Sequence, residues 1–374
     1  MDRRFGYAII SLTLLIAACG PEVVERHDRP QRSHDVRAPD VPGDGTDDVA
    51  EILDAFGEVD VSTAGPHEDT SIEDTQVTAD TATAPKSYSV AIVADMNSSY
   101  GSTTYLNAVK KATRFITERL KPDVVLSAGD MVAGQKSGLD YRAMWSAFHS
   151  TVTDKIRNAG IPFAPTPGNH DASGYAAYQN ERDIYVDEWE KKRPSVNFVE
   201  DTYYPLRYAF RVGPALFISL DDTTVGPLGD PQMMWLETVL ENNETAPVKV
   251  VYGHLPLWGF AQGRADEIIG DDDLETLLEK HDVDLFVSGH HHAYYPGKRG
   301  KIRMLSMACL GTGSRKLLGG RRASGRSVAV FTYDRRGIRA IDAYEAPGFN
   351  QIVPRTSLPK SIDDGNAIIV RDDT

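Results

Sequence analysis

Asn169, His170 and Asp171 follow Gly168 directly, at the end of the apolar run Ile161-Pro162-Phe163-Ala164-Pro165-Thr166-Pro167. A turn that delivers an amide oxygen, an imidazole and a carboxylate together lets them converge on one point, which suits a metal ion. Alone the triplet says little, because Asn, His and Asp also form ordinary turns. The rest of the chain repeats the pattern. Asp95 follows Ser89–Ala94, Asp130 follows Val124–Ala128 and Gly129, His254 follows Val248–Tyr252 and Gly253, and His290 and His292 follow Val283–Ser288 and Gly289. Asp95, Asp130, Asn169, His254, His290 and His292 at successive strand ends are hard to reconcile with independent surface polarity, and a metal centre is the better account. Carboxylate, amide oxygen and imidazole together suit Mn, Fe, Zn or Ni, and the absence of thiolate argues against a structural zinc knot.

These residues need an open α/β sheet, whose ligand edge lies at the carboxyl ends of buried strands. The continuous apolar runs supply the strands. Helical spacing is seen in Leu106, Val109, Ala112 and Ile116 before Pro122, over Tyr141 to Asn158, in Gln232 to Leu240 and in Leu274 to Lys280. Arg207 to Val212 and Ala215 to Leu220 read as a hairpin through Gly213-Pro214. Ile302 to Cys309, Val328 to Tyr333 and Ile338 to Tyr344 read as three antiparallel strands, and the tail from Ala346 as polar, ordered poorly or only against the domain surface. The polar, aromatic stretch Ala172 to Tyr204 reads either as a lid or substrate wall or as a packed surface excursion.

The N-terminus points to export. Arg3 and Arg4 precede a largely apolar Ile9 to Ala17, and Ile16-Ala17-Ala18-Cys19 places small residues before a cysteine. This run is too short for an ordinary membrane-spanning helix. It resembles a bacterial lipoprotein signal over residues 1–18, with lipidation expected at Cys19; an ordinary cleaved signal with a chance cysteine is the alternative. The other cysteine, Cys309, lies in an apolar run and reads as a small core residue. Residues 19–86 carry 17 acidic and 5 basic side chains, which account for most of the net charge of −14. With few aromatics and no apolar period, that stretch reads as a disordered acidic spacer, with at most a transient helix over Asp48 to Phe56. The remainder is near neutral and lacks the basic patches of a dedicated nucleic-acid enzyme, although nucleotides stay open as ligands.

In the order aspartate, Gly-Asp, Gly-Asn-His-Asp, Gly-His and Gly-His-x-His, the chain resembles the calcineurin-like metallophosphoesterases over about Ser89 to Tyr344. The resemblance implies a four-layer α/β/β/α sandwich over residues 87–346, of the metallo-dependent phosphatase type, followed by a polar tail, 347–374. It implies two metal ions, with Asp130 bridging, Asp95 and His292 on one ion, and Asn169, His254 and His290 on the other. Such a pair, about 3.5 to 4 Å apart, activates a hydroxide as nucleophile and clamps the phosphate. His170 matches the family's general acid, and Asp171 would orient it or serve only as a turn residue. The expected substrate is a small phosphomonoester or diester, and the expected place is the bacterial cell envelope, outside the cytoplasm.

One position departs from the pattern. The family's first motif is usually Asp-x-His, whereas this chain reads Asp95-Met96-Asn97. Asn97 is either a weaker, harder metal donor or a turn residue. Its presence leaves one alternative, a decayed phosphoesterase scaffold serving as a surface binding protein. Asp221 is a candidate for holding a ligand histidine, His291 should face away from the ions by strand alternation, and Gly311 to Lys316 reads as an anion-binding loop or a mobile turn.

Overall fold

The computed structural model describes residues 85–374; the expected signal over residues 1–18, the expected lipidation at Cys19 and nearly all of the expected acidic spacer lie outside the described residues. In chain order, β1 (Tyr88–Val93) leads to α1 (Asn107–Arg114), which continues through a π-helical turn to Leu120, and then to β2 (Val124–Ser127). Next come α2 (Tyr141–Phe148), a second π-helical stretch, α3 (Asp154–Asn158), β3 (Phe163–Ala164), α4 (Asn169–Ala172) and α5 (Gln179–Lys191). β4 (Asn197–Tyr203), β5 (Arg207–Val212), β6 (Ala215–Ser219), α6 (Asp230–Asn242), β7 (Val248–Tyr252), α7 (Asp272–Lys280) and β8 (Leu285–Ser288) follow. The chain closes with β9 (Tyr295–Arg299), β10 (Ile302–Ser306), β11 (Ser327–Asp334), β12 (Gly337–Glu345), β13 (Gln351–Ile352), β14 (Ser361–Asp363) and β15 (Ile368–Arg371).

Two sheets result, in the orders β13-β12-β11-β1-β2-β3 and β14-β15-β9-β10-β8-β7-β6-β5-β4. Side-chain alternation explains their stacking. From the nine-stranded sheet Phe217, Val250 and Val287 join the core shared with Val90, Val124 and Phe331 of the other sheet, while Leu216, Ile218, Val251 and Phe286 join Leu236 of α6 and Leu274 of α7. Phe217 meets Phe331 and Tyr333 across the sheets at ring-centroid distances of 6.4 and 6.1 Å. Residues of α1 and α2 pack on the six-stranded sheet. The architecture is therefore the four-layer α/β/β/α sandwich. β1, β2 and β3 are mutually parallel, as are β6, β7, β8 and β10, so their carboxyl ends form the two lips of one edge.

One expectation is corrected. Ile302 to Cys309 does not pair with β11 and β12: β10 lies in the other sheet, parallel to β8 and antiparallel to β9. A run buried on both faces says nothing about which sheet receives it. The third strand pairs over only two residues, because Pro162, Pro165 and Pro167 have no N–H to give a ladder. The tail is ordered: β13 extends one sheet, β14 and β15 extend the other, and Ile362 and Ile369 are buried beneath them. The aromatic stretch after Ala172 is mainly α5, whose Tyr185 and Trp189 are fully buried, and β4 at the sheet edge. Its inner face is core rather than lid. Among the described residues no helix is long and apolar enough to cross a membrane.

One core residue couples stability to pH. His149 is buried, with its ring 5.7 Å from Trp145 and 5.2 Å from Trp189. Burial, with Lys192 nearby, pushes its pKa down to about 3. The unfolded chain, titrating near 6.5, binds a proton there that the native state refuses, so this contribution is fully present above about pH 6.5 and is lost as pH falls toward 3. At pH 5 the loss is about 2 kcal/mol. Urea unfolding of wild type and His149→Phe at pH 7 and pH 5 should show the wild type losing that much more; equal losses would contradict it.

Candidate metal centre

Four of the strand-end residues, Asp95, Asp130, His290 and His292, have φ between 49° and 61°. Left-handed backbone is uncommon for non-glycine residues and gathers at functional sites, where the surrounding fold imposes it. Gly129, at φ 85°, allows the approach: a Cβ there would lie 2.5 Å from His254 Nδ1. The turns thereby aim both lips of the sandwich at one point.

Around the first group, His254 Nε2 lies 2.9 Å from Asn169 Oδ1, 3.2 Å from His290 Nδ1 and 3.4 Å from Asp130 Oδ1. The outward partners determine what each atom carries. His254 Nδ1 donates to the carbonyl of Ala128 at 2.8 Å, leaving a lone pair on Nε2. His290 Nε2 meets the Glu267 carboxylate at 2.9 Å, leaving a lone pair on Nδ1. Asn169 Nδ2 donates to Gln135 Oε1 at 2.9 Å, leaving its oxygen inward. With the rings neutral in these tautomers, four acceptors converge with no hydrogen between them. The separations match the roughly 3.3 Å edge of a tetrahedron of donors placed about 2.0 to 2.1 Å from a zinc-sized ion.

A second group adjoins it. Ligand atoms of Asp95, Asp130 and His292 lie within 4.8 Å of one another. His292 Nδ1 donates to the Gly313 carbonyl at 3.0 Å, which turns Nε2 toward Asp95 Oδ1 at 3.2 Å. Asp95 Oδ2 is buried without a hydrogen-bond partner, a costly state that a cation would relieve. Burial disfavours charge on His254 and His292, yet Asp130 beside the first and Asp95 beside the second hold both above the ordinary histidine value. The residues present fit two metal ions, with Asp130 common to both groups.

Other predicted residues find different roles. His170 Nδ1 donates to the Gly134 carbonyl at 3.0 Å, and its Nε2 lies 4.0 Å from Asp130 Oδ2 at the partly open side of the site. Asp171 does not orient it. As the third residue of α4 it curls back to accept from Gly168 N at 3.0 Å, and its other oxygen accepts from Met131 N and Val132 N at 2.8 and 2.9 Å. Burial, then the Asp130 charge, pushes its pKa up to about 8. It fastens the loops after β2 and β3 to each other. Asn97 lies at the site but presents Nδ2 to Val132 O at 3.3 Å and to Asp130 Oδ2 at 3.4 Å. The carbonyl can only accept, so the nitrogen belongs on that side and donates to it.

Asp221 pairs with Arg182 of α5 and touches no ligand histidine. The neighbouring Asp222 instead accepts from His254 N at 2.7 Å, and Glu267 orients His290. Neither was singled out in the sequence: adjacent aspartates do not reveal which one turns inward, and Glu267 lies in an aperiodic loop. His291 faces away, fully buried, accepting from Phe260 N at 3.0 Å. The Gly311 to Lys316 loop orients His292 through Gly313 and hydrogen-bonds Asp95 O through Gly311 N at 2.8 Å. Cys309 is buried with a free thiol.

Known proteins share the fold and the family. The family profile for calcineurin-like phosphoesterases matches residues 88–294. Probable purple acid phosphatase 20 of Arabidopsis thaliana is 28% identical over 178 residues, which is 46% of this chain and 39% of that protein, so the chain spans about two fifths of that curated relative. In fold the chain is similar to the purple acid phosphatase PPD1 of yellow lupin (Lupinus luteus) seeds, at TM-score 0.52 and 16% identity over 72% of this chain and 53% of the other. It is also similar to PhoD, at TM-score 0.51 and 14% identity over 72% of each chain. With that profile match over more than half its length, the chain belongs to the calcineurin-like phosphoesterase family.

Proposed function

We propose that the protein hydrolyses small phosphoesters, monoesters or compact diesters, at a two-metal centre held by Asp95, Asp130 and His292 on one side and Asp130, Asn169, His254 and His290 on the other. The carrying observation is the convergence of acceptor atoms whose protons are all committed outward. Two bound cations of the Mn, Fe, Zn or Ni class would supply an activated water and neutralise charge on the phosphate. The chain's own residues do the rest. Glu267, Gly313 and Ala128 hold the three outward imidazole nitrogens, so each ring keeps its lone pair toward the site. Asn97 and the His170 backbone N–H, 2.9 Å from Asp130 Oδ1, orient the shared carboxylate. His170 keeps Nε2 toward the open side, where as imidazolium it donates a proton to the departing alkoxide.

The export signal and Cys19 read from the sequence support placement on a bacterial cell envelope, facing small extracytoplasmic phosphoesters. The test of function is turnover of an aryl phosphomonoester and an aryl phosphodiester by the purified chain with added Mn or Zn. Chelator-sensitive hydrolysis of either is expected. No turnover with any divalent ion would leave the decayed scaffold as the better account.

A further inference from the structure

The loop after β2 carries no metal ligand beyond Asp130, yet it touches both Asn169 and His170. Gly134 exchanges two hydrogen bonds with His170: its N–H donates to His170 O at 2.9 Å, and its carbonyl accepts from Nδ1 at 3.0 Å. The contact is so close that a Cβ on Gly134 would lie 2.4 Å from His170 O. Gln135 has φ 62°, a conformation costing a non-glycine residue roughly 1 kcal/mol or more. Its side chain bridges, with Oε1 accepting from Asn169 Nδ2 at 2.9 Å and Nε2 donating to Ser173 Oγ at 3.4 Å.

What holds this loop is Glu181, in the first turn of α5. Its Oε2 accepts from Gln135 N at 2.7 Å, and its Oε1 accepts from the Tyr141 hydroxyl at the start of α2. Glu181 is 2% exposed, and among the described residues its carboxylate is held by hydrogen bonds and no ion pair. A buried carboxylate without a cation is a poor device for stability alone. Its two bonds fix a strained loop whose next contacts are the amide of one metal ligand and the imidazole of the acid.

We propose that Glu181 is a positioning residue for the metal centre. Through Gln135 N it sets the Gln135 amide on Asn169 and the Gly134 carbonyl on His170, so one carboxylate outside the centre orients two groups inside it. The inference rests on the two-metal reading above. It also gives α5 a role in that site, within a stretch whose sequence suggested only a lid or an excursion.

The experiment is calorimetric zinc titration together with kcat and KM for Glu181→Ala, Glu181→Gln and Gln135→Ala in the full chain. Groups that orient ligands typically contribute about 10- to 100-fold in metal affinity or activity. Glu181→Ala should lose zinc affinity and kcat by about that factor while KM changes less than about threefold, and Glu181→Gln, which can still accept from Gln135 N, should recover most of both. Gln135→Ala should reproduce the loss of zinc affinity without altering α5. Glu181→Ala with wild-type affinity and kcat would overturn the proposal; if that variant does not fold, wild-type zinc affinity in Gln135→Ala overturns it instead. Zinc affinity is read without turnover. A wild type that binds zinc but hydrolyses no phosphoester would therefore sink the functional reading while the affinity series still decided this one, and a wild type that binds no zinc would contradict both.

Discussion

Asp130→Asn is expected to lower kcat/KM for phosphoester hydrolysis by about a thousandfold or more, the equivalent of about 4 kcal/mol of transition-state stabilisation. Asp130 is the one carboxylate shared by the two donor groups, with Oδ1 near His254 Nε2 at 3.4 Å and its ligand atom grouped with those of Asp95 and His292. The amide keeps the shape and can still accept from His170 N, so the turn survives. What goes is the negative charge that two cations would share and one of its two acceptor oxygens. Kinetics under saturating metal, with melting curves to show an intact fold, measure the effect. A variant within tenfold of wild type would remove Asp130 from the chemistry.

His170→Ala should lower kcat by about 10²- to 10⁴-fold while leaving zinc uptake unchanged. Its Nδ1 is committed to Gly134, and Nε2 faces the open side beside the exposed Tyr100 ring, 5.4 Å away between centroids. The size of the loss should depend on the leaving group. An alkoxide needs a proton to depart and a nitrophenolate does not, so the defect should be steep for an alkyl phosphate and shallow for a nitrophenyl phosphate. Equal losses for both would make His170 a phosphate-binding group rather than an acid.

The candidate ligands were legible in the sequence because buried parallel strands end in polar residues, most of them beside a glycine, and that signal is local. Asp95, Asp130, Asn169, His254, His290 and His292 all lie just past the strands that the sequence marks, and His291 does face the core, though through a turn in which His290 and His292 have positive φ rather than through strand alternation. The bonds that orient them were not. Asp171, Asp222, Glu267 and Gln135 act on backbone or side-chain groups many residues away, and no spacing records which loop a short polar side chain will meet. For the same reason Asn97, adjacent in sequence to Asp95, proved a donor to Val132 and Asp130. Sheet membership failed where composition was ambiguous. β10 is largely apolar and gives no hint of its neighbour, β9 contains a Pro-Gly pair that reads as a turn, and β13 to β15 are too short to show a period.

Converging lone pairs at the site require cations, and metal stoichiometry tests that requirement most directly. Chelator-treated wild type titrated calorimetrically with zinc should take up two equivalents, and Asp130→Asn should take up fewer or bind both far more weakly. Two equivalents in wild type with the loss in the variant is the predicted result. Wild type that takes up no zinc, manganese or other divalent ion would contradict the metal centre itself.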